Sequence, residues 1–318
     1  MPLFTRSPKS ENSSAGARPK RSFISSQDLI AALFEYVGTT VFLTLAFGGV
    51  QAAQAEPSNP TSPTSVERVL YISLSMGFSL LVSAWLFFRV TGGLFNPNVS
   101  LALLLTCVIG PVRFVLYCIA QLLGGITAAA LVLALTSGPL ASNTSLQGIN
   151  AAQGVFIEAF VTAALVLSVL MLAAEKHTAT PFAPVGIGLT LFVGHLWAVF
   201  YTGAAINTAR AFGPAVVTGF PDSHHWVYWV GPFTVPSLEQ GFTHSSSSTL
   251  QYWRLNPGQD TVDSRESPPD PVRSVKSMMV ISREPQSSVG HDQRRMSGDP
   301  SDEGTVVADR GRRNDSLV

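Results

Sequence analysis

Two asparagines stand at corresponding places in two otherwise apolar stretches of the chain. One stretch reads TGGLFNPN and contains Asn96; the other reads TGAAINTA, contains Asn207 and is followed directly by Arg210. A side-chain amide carries two N–H donors, so each asparagine can donate a hydrogen bond to a small polar molecule. An arginine within a membrane is energetically expensive and marks a functional site by default. These three residues are the first candidates for a functional site.

The elements that must position them are long apolar helices. Five runs hold at most one charged residue each, and about 20 residues of helix span the hydrocarbon core of a bilayer. Only 12 of the 40 charged residues fall within residues 27–238, too few to cover a soluble surface. The formal net charge of zero excludes the broadly basic surface of a nucleic-acid-binding protein. The predicted spans are Leu29–Val50, Val69–Phe88, Phe114–Leu135, Gly154–Ala174 and Phe182–Ile206.

The two segments that carry the asparagines are too short or too broken to span. Leu94–Val112 and Ile206–Phe220 each open with asparagine and turn-forming residues, which predicts re-entrant half-helices. The first span of each half of the chain carries a lone glutamate with a threonine four residues later, Glu35 in one and Glu158 in the other. Three spans in each half place the halves in opposite membrane orientations, an inverted repeat typical of transporters and channels.

The ends of the chain differ in composition from its middle. Residues 1–26 are rich in serine and proline and carry five basic residues, which predicts a disordered arm. Residues 239–318 have a similar polar composition and are predicted to be a disordered tail, leaving residues 27–238 as the channel domain. Lysine and arginine are richer in alternate connections, which predicts a cytoplasmic N-terminus and, after six spans, a cytoplasmic tail.

With these features the chain resembles the major intrinsic protein family, the aquaporins and aquaglyceroporins. The resemblance is carried by GGLFNPNVSLAL and GAAINTARAFGPAVV, together with Glu35, Glu158 and Gln121 on the spans. It covers about residues 27–233, and the tail segment LQYWRLNPGQD resembles filamentous-fungal members. It implies an all-α integral membrane fold with six transmembrane helices and two re-entrant half-helices. Glu35 and Glu158 are expected to accept hydrogen bonds from backbone N–H groups of the broken helices.

The resemblance implies two Asn-Pro-Ala boxes that meet tip to tip in the pore. The asparagine of each box is present in this chain. In the family arrangement, the two half-helix N-termini each carry about +0.5 charge, so that together they repel cations and block proton hopping. Two positions depart from the pattern: Thr208 replaces proline and Asn98 replaces alanine. We expect these changes to reshape the centre of the pore rather than close it. The boxes here are Asn96-Pro97-Asn98 and Asn207-Thr208-Ala209.

The resemblance also implies an outer constriction. Arg210 supplies a fixed charge against cations, and His195, fifteen residues earlier, stands where water-selective members carry histidine. Ala211 stands where glycerol conductors have aspartate. Ala204 fits the position of a small residue whose backbone contributes to the constriction. Met76 falls where water channels commonly have phenylalanine, and this flexible side chain favours a wider opening.

A sixth span should follow Trp226. The run Trp226–Leu238 has only 13 residues, roughly 20 Å as helix, so the sixth helix is predicted to be incomplete. One hypothesis is that Thr234–Thr249 comes from a wrongly joined or unspliced gene region. The other is a diverged member of the family with an impaired helix.

The function expected from these observations is passive water conduction down an osmotic gradient, with protons and ions excluded. No enzymatic activity, cofactor, metal or nucleic-acid partner is expected. The resemblance implies a homotetramer with one pore per subunit, most simply in the plasma membrane, with an internal membrane as the alternative. A broader pore for small neutral solutes, and a non-conducting membrane protein, remain as alternatives.

Overall fold

The computed structural model describes residues 24–55, 66–175 and 179–234, and these residues contain helices and loops without a β-strand. The predicted N-terminal arm, apart from residues 24–26, and the whole predicted tail lie outside the described residues. Five helices are long and apolar enough to cross a membrane, which confirms the five predicted spans. Large apolar side chains such as Phe78, Phe156 and Trp197 are exposed on their outer faces, as suits contact with lipid chains.

The long helices differ from the predicted runs mainly at their ends. The helices are α1 (Ser26–Ala55), α2 (Val66–Phe87), α4 (Pro111–Leu135), α5 (Ala151–Val169) and α6 (Ala183–Thr202). Helix α5 starts earlier than predicted because Asn150 and Gln153 form a capping box, and it is followed directly by a π-helical turn over Leu170–Ala174. Helix α6 ends at Thr202 rather than Ile206 because Gly203 adopts a left-handed conformation with φ 75°, which favours glycine and terminates helices.

The two half-helices are present and shorter than the segments predicted to contain them. Helix α3 covers Pro97–Leu105 and α7 covers Thr208–Thr218. An extended residue precedes each helix, Asn96 at φ −148° and Asn207 at φ −146°. At 1.5 Å per residue, helices of 9 and 11 residues reach only about half of the hydrocarbon thickness. Each is therefore a re-entrant element rather than a span.

Small residues let the helices approach closely at two places. A Cβ atom on Gly77 of α2 would lie 2.9 Å from the carbonyl oxygen of Gly188 in α6, and a Cβ on Gly188 would lie 2.8 Å from the Gly77 oxygen. A Cβ on Gly125 of α4 would lie 2.5 Å from the Ala209 oxygen, and one on Gly213 of α7 would overlap the Gly125 carbonyl. Close backbone approach of this kind is typical of membrane helix packing, and it holds α7 against α4.

A further helix, α8, begins the sixth span and covers residues 227–234. It packs Val227 and Tyr228, both fully buried, against the second half of the chain. The rest of the predicted short span lies outside the described residues. The incomplete sixth helix therefore stays a prediction.

Candidate functional site: the junction of the two half-helices

The loop before α3 is organised by the buried carboxylate of Glu35 in α1. Its Oε1 atom accepts hydrogen bonds from the Thr91 hydroxyl at 2.6 Å and the Leu94 N–H at 3.2 Å. Its Oε2 atom accepts from the Phe95 N–H at 3.0 Å and from the Gln121 amide at 2.9 Å. These bonds satisfy N–H groups that the broken helix leaves unpaired, which would otherwise be costly inside a membrane.

The second half repeats this arrangement with different residues. Glu158 of α5 accepts at Oε1 from the Thr202 hydroxyl at 2.6 Å and the Ala205 N–H at 2.9 Å. Its Oε2 accepts from the Ile206 N–H at 2.8 Å. Both glutamates are fully buried. The lone glutamate in the first span of each half thus anchors that half's loop, which agrees with the role expected for it.

Each box asparagine caps its own half-helix and reaches across to the other half. Asn96 Oδ1 accepts from the Asn98 N–H at 2.9 Å, while its amide donates to the Ile206 carbonyl at 3.0 Å. Asn207 Oδ1 accepts from the Ala209 N–H at 2.9 Å, and its amide donates to the Phe95 carbonyl at 2.8 Å. Since an amide nitrogen has two N–H groups, each asparagine keeps a second donor for another acceptor.

The carbonyls that receive these bonds are presented by strained backbone. Phe95 has φ 52° and Ile206 has φ 57°, left-handed values that are uncommon for residues other than glycine and are rarest for β-branched ones such as isoleucine. Their N–H groups bind the two glutamates and their carbonyls bind the opposite asparagine. Four bonds thus hold two unfavourable conformations in place, and strain that the surroundings maintain in this way is typical of functional sites.

Arg210 is held rigidly although its charge is almost fully buried. Its Nη1 donates to the Ser142 carbonyl at 2.7 Å and its Nη2 donates to the Gly203 carbonyl at 3.2 Å. Its guanidinium carbon lies 5.8 Å from the centre of the Phe47 ring, a cation–π distance. The loop after α4 therefore takes part in fixing the arginine.

The histidine predicted beside Arg210 is also buried. His195 is fully buried in α6, its Nδ1 lies 2.9 Å from the Leu191 carbonyl, and Nε2 has no hydrogen-bond partner among the described residues. The arrangement leaves one ring nitrogen free to bind a small polar molecule. Ala204, with φ 49°, is fully buried in the loop before α7.

A cavity of about 250 Å³ runs along the junction. Four predicted site residues line it: Asn96, Asn207, Arg210 and Met76. The rest of its lining is largely apolar, with side chains such as Leu80, Val99, Leu165 and Leu191. A few polar groups on an apolar wall orient small molecules without binding them tightly.

The remaining predicted residues lie around the junction without lining this cavity. Pro97 is the first residue of α3, where its missing N–H costs nothing. Ala209 is buried in the first turn of α7, and Asn98 and Thr208 face one another. Gln121 joins the first half-helix to the glutamate, since its amide also donates to the Ser100 hydroxyl at 2.9 Å.

Several residues of the site were not singled out from the sequence. Phe47 and Ser142 contact Arg210, but both lie far from it in the chain and in unremarkable sequence. Thr91 and Thr202 carried a detectable signal, because they begin the two repeated stretches that contain the asparagines. Tyr228 donates its hydroxyl to the Thr202 carbonyl at 2.9 Å, a contact that no spacing predicts.

Two opposed half-helices, joined at their N-termini inside a bundle of membrane-spanning helices, define a multi-pass membrane channel of the broken-helix type. The profile of the Major intrinsic protein family matches residues 22–239. The chain belongs to this family. It is therefore an integral membrane channel for water or small solutes, and not an enzyme.

Relatives and a solved structure agree with this assignment. The chain is 64% identical over 254 residues to Aquaporin-1 of Laccaria bicolor, covering 79% of this chain and 81% of that protein. It is 49% identical over 236 residues to Aquaporin-2 of Botryotinia fuckeliana, covering 73% and 62% of the two chains. The X-ray structure of the aquaglyceroporin from Plasmodium falciparum superposes with a TM-score of 0.59 at 18% identity, covering 72% of this chain and 99% of the other. That superposition concerns the fold alone.

Proposed function

We propose that the chain is a passive water channel that excludes protons and ions. The observation that carries this proposal is the shared cavity, which brings Asn96, Asn207 and Arg210 together on an otherwise largely apolar wall. Each asparagine has a donor left for water after its bond to the opposite half. The two half-helix N-termini and the fixed guanidinium all present positive potential to a passing cation.

Selectivity for water rests on the residues around Arg210. The Phe47 ring restricts the space beside the guanidinium from one side, His195 is proposed to restrict it from another, and Ala211 provides no carboxylate after it. The roles predicted for Pro97, Asn98, Thr208, Ala209 and Ala204 in the pore belong to the same proposal, and these residues surround the cavity without lining it. We further propose that residues 27–238 form the channel domain of a homotetramer in the plasma membrane, with both chain ends in the cytoplasm.

A broader pore for small neutral solutes is the second candidate. It is favoured by Met76, which lines the cavity and replaces a rigid ring with a flexible chain. A flexible thioether can move aside for glycerol where a phenyl ring cannot.

Stopped-flow light scattering on proteoliposomes of known protein content tests both candidates. Water conduction predicts that an impermeant osmolyte shrinks them much faster than empty liposomes, while glycerol enters at the empty-liposome rate. Faster entry of both water and glycerol supports the broader pore. Shrinkage equal to empty liposomes, with folded protein present, refutes both.

A matched pair of asparagine variants identifies the pore. Asn207→Asp replaces the amide that donates to the Phe95 carbonyl with a carboxylate, so we expect it to lose water conduction. Asn150→Asp makes the same chemical change at the exposed N-cap of α5, where aspartate caps equally well, and should conduct normally. Equal conduction by the two variants would contradict the assignment of Asn207 to the pore.

A further inference from the structure

The two residues at which the boxes depart from the family pattern contact each other. The Thr208 hydroxyl lies 3.1 Å from Asn98 Oδ1, across 110 positions of sequence. The same hydroxyl lies 3.2 Å from the Tyr228 carbonyl in α8. Asn98, Thr208 and Tyr228 are all fully buried. The two contacts of this one hydroxyl thus join the first turns of α3 and α7 to the start of α8.

The contact depends on both departures being present together. The alanine and proline of the usual box have no polar side-chain atom, so a chain with only one departure could not form it. Asn98 depends on the contact more than Thr208 does, because the described residues offer the Asn98 side chain no other hydrogen-bond partner. Thr208 would keep its bond to Tyr228 without Asn98.

The chemistry of the groups favours one orientation of the Asn98 amide. The Thr208 hydroxyl has one proton, and both neighbours at hydrogen-bond distance are oxygens, while Asn98 Nδ2 has no partner among the described residues. The nitrogen and oxygen of an amide are assigned from their surroundings. With the amide turned over, Nδ2 donates to the Thr208 oxygen and the hydroxyl donates to the Tyr228 carbonyl. That relay gives the hydroxyl both a donor and an acceptor.

We propose that Asn98 and Thr208 are coupled positioning residues that fix the two half-helices relative to each other. Asn98 lies two residues after Asn96, and Thr208 directly follows Asn207. Because both belong to the first helical turn, a shift between them moves the pore-facing amides by a similar amount. The relay therefore holds the amides of the two box asparagines at their working separation, from behind the pore.

Isosteric variants test the coupling. Thr208→Val removes the hydroxyl at constant shape and strands the Asn98 amide, whereas Asn98→Leu removes the amide and leaves Thr208 bound to Tyr228. A stranded buried polar group shifts a folding equilibrium by a factor of about 5 to 100, while replacing both partners by apolar groups of similar shape is nearly neutral. We expect Thr208→Val to lower the apparent thermal midpoint of the purified protein by about 2–8 °C. The double variant should recover the part of that loss that the stranded Asn98 amide causes, while the Tyr228 carbonyl stays without its donor. Thr208→Ser, which keeps the hydroxyl, should resemble the natural chain.

The water permeability of proteoliposomes divided by their content of folded protein reports the pore itself, because the division removes the effect of how much protein is folded. We expect this ratio to change in Thr208→Val and to return in the double variant. Additive losses in the thermal midpoint would overturn the coupling. If the changes in thermal midpoint are not additive but the ratio stays the same in all variants, the positioning role is overturned. The permeability measurement rests on the proposed water channel. If the natural chain does not conduct water, the proposed function fails. The thermal midpoints of the variants still decide whether Asn98 and Thr208 are coupled.

Discussion

Replacing Glu158 by glutamine tests whether a buried carboxylate organises the loop that presents Asn207. The carboxylate accepts three short hydrogen bonds, from the Thr202 hydroxyl and from the N–H groups of Ala205 and Ile206. Glutamine has the same shape, but one of its two oxygens is replaced by an NH₂ group. Glutamine can therefore accept hydrogen bonds at only one of the two positions that Oε1 and Oε2 occupy.

The expected cost follows from which bonds glutamine can keep. Its oxygen can replace Oε1 and retain the bonds from Thr202 and Ala205, but its NH₂ then faces the Ile206 N–H, donor against donor. Losing a hydrogen bond to a charged group costs about 1.5–3 kcal/mol, and an unpaired buried N–H costs about 1–3 kcal/mol more. A total of about 3 kcal/mol or more is a large part of the usual free energy of unfolding.

The assay is the apparent thermal midpoint of the purified protein, followed by water permeability of the reconstituted protein. We expect Glu158→Gln to lower the midpoint by about 6–12 °C, and to reduce conduction because Ile206 and Asn207 are no longer held. Glu35→Gln should behave alike, since its carboxylate accepts four bonds. Glu67→Gln, at an exposed position in the first turn of α2, is the control and should change neither quantity. A midpoint for Glu158→Gln equal to that of the control would refute the reasoning.

Three further predictions concern the constriction and the loop between α7 and α8. Phe47→Leu removes the ring beneath Arg210 and should lower water permeability about two- to fivefold in stopped-flow assays; an unchanged rate would remove Phe47 from the constriction. Met76→Phe narrows the cavity and should reduce glycerol entry more than water flow, and equal reductions would contradict a selective role. Burial lowers the pKa of His225 although Asp222 opposes the shift, so unfolding takes up a proton and stability falls as the pH drops through about 6.5. The thermal midpoint should therefore decrease as the pH is lowered from about 7.5 to 5.5, and it should decrease less in His225→Gln. An equal decrease in both proteins would assign the effect to other groups.

Much of the architecture was predictable because its signals are local in the chain. A membrane span needs about 20 consecutive apolar residues, which hydropathy reveals directly. The repeated stretches around Asn96 and Asn207 revealed the two half-helices, because an unbroken helix would not need turn-forming residues at membrane depth. The lone glutamates were predicted to accept backbone N–H groups, and Glu35 and Glu158 do so.

Element ends were predicted less well, since they depend on single residues. The span ending at Thr202 was extended to Ile206 because residues 203–206 are apolar or small and continue the hydropathic run. The left-handed Gly203 and the bonds from the next N–H groups to Glu158 end the helix instead. Hydropathy reports the environment of a residue and carries no information on its backbone torsion angles.

The amino-acid sequence by itself determined the membrane class, the inverted repeat, the two half-helices and the residues at their tips. The spans and half-helices follow from apolar run length and turn-forming residues in short stretches, and the repeat follows from the similarity of the stretches around Asn96 and Asn207. Only the tertiary structure decided that Phe47 lies under Arg210, that Ser142 fixes the guanidinium, and that Asn98 meets Thr208. Each of these contacts joins residues more than 60 positions apart, and no local pattern encodes which distant side chains meet. Their pairing is set by how the helices pack, where close approach at small residues brings the two halves of the chain together.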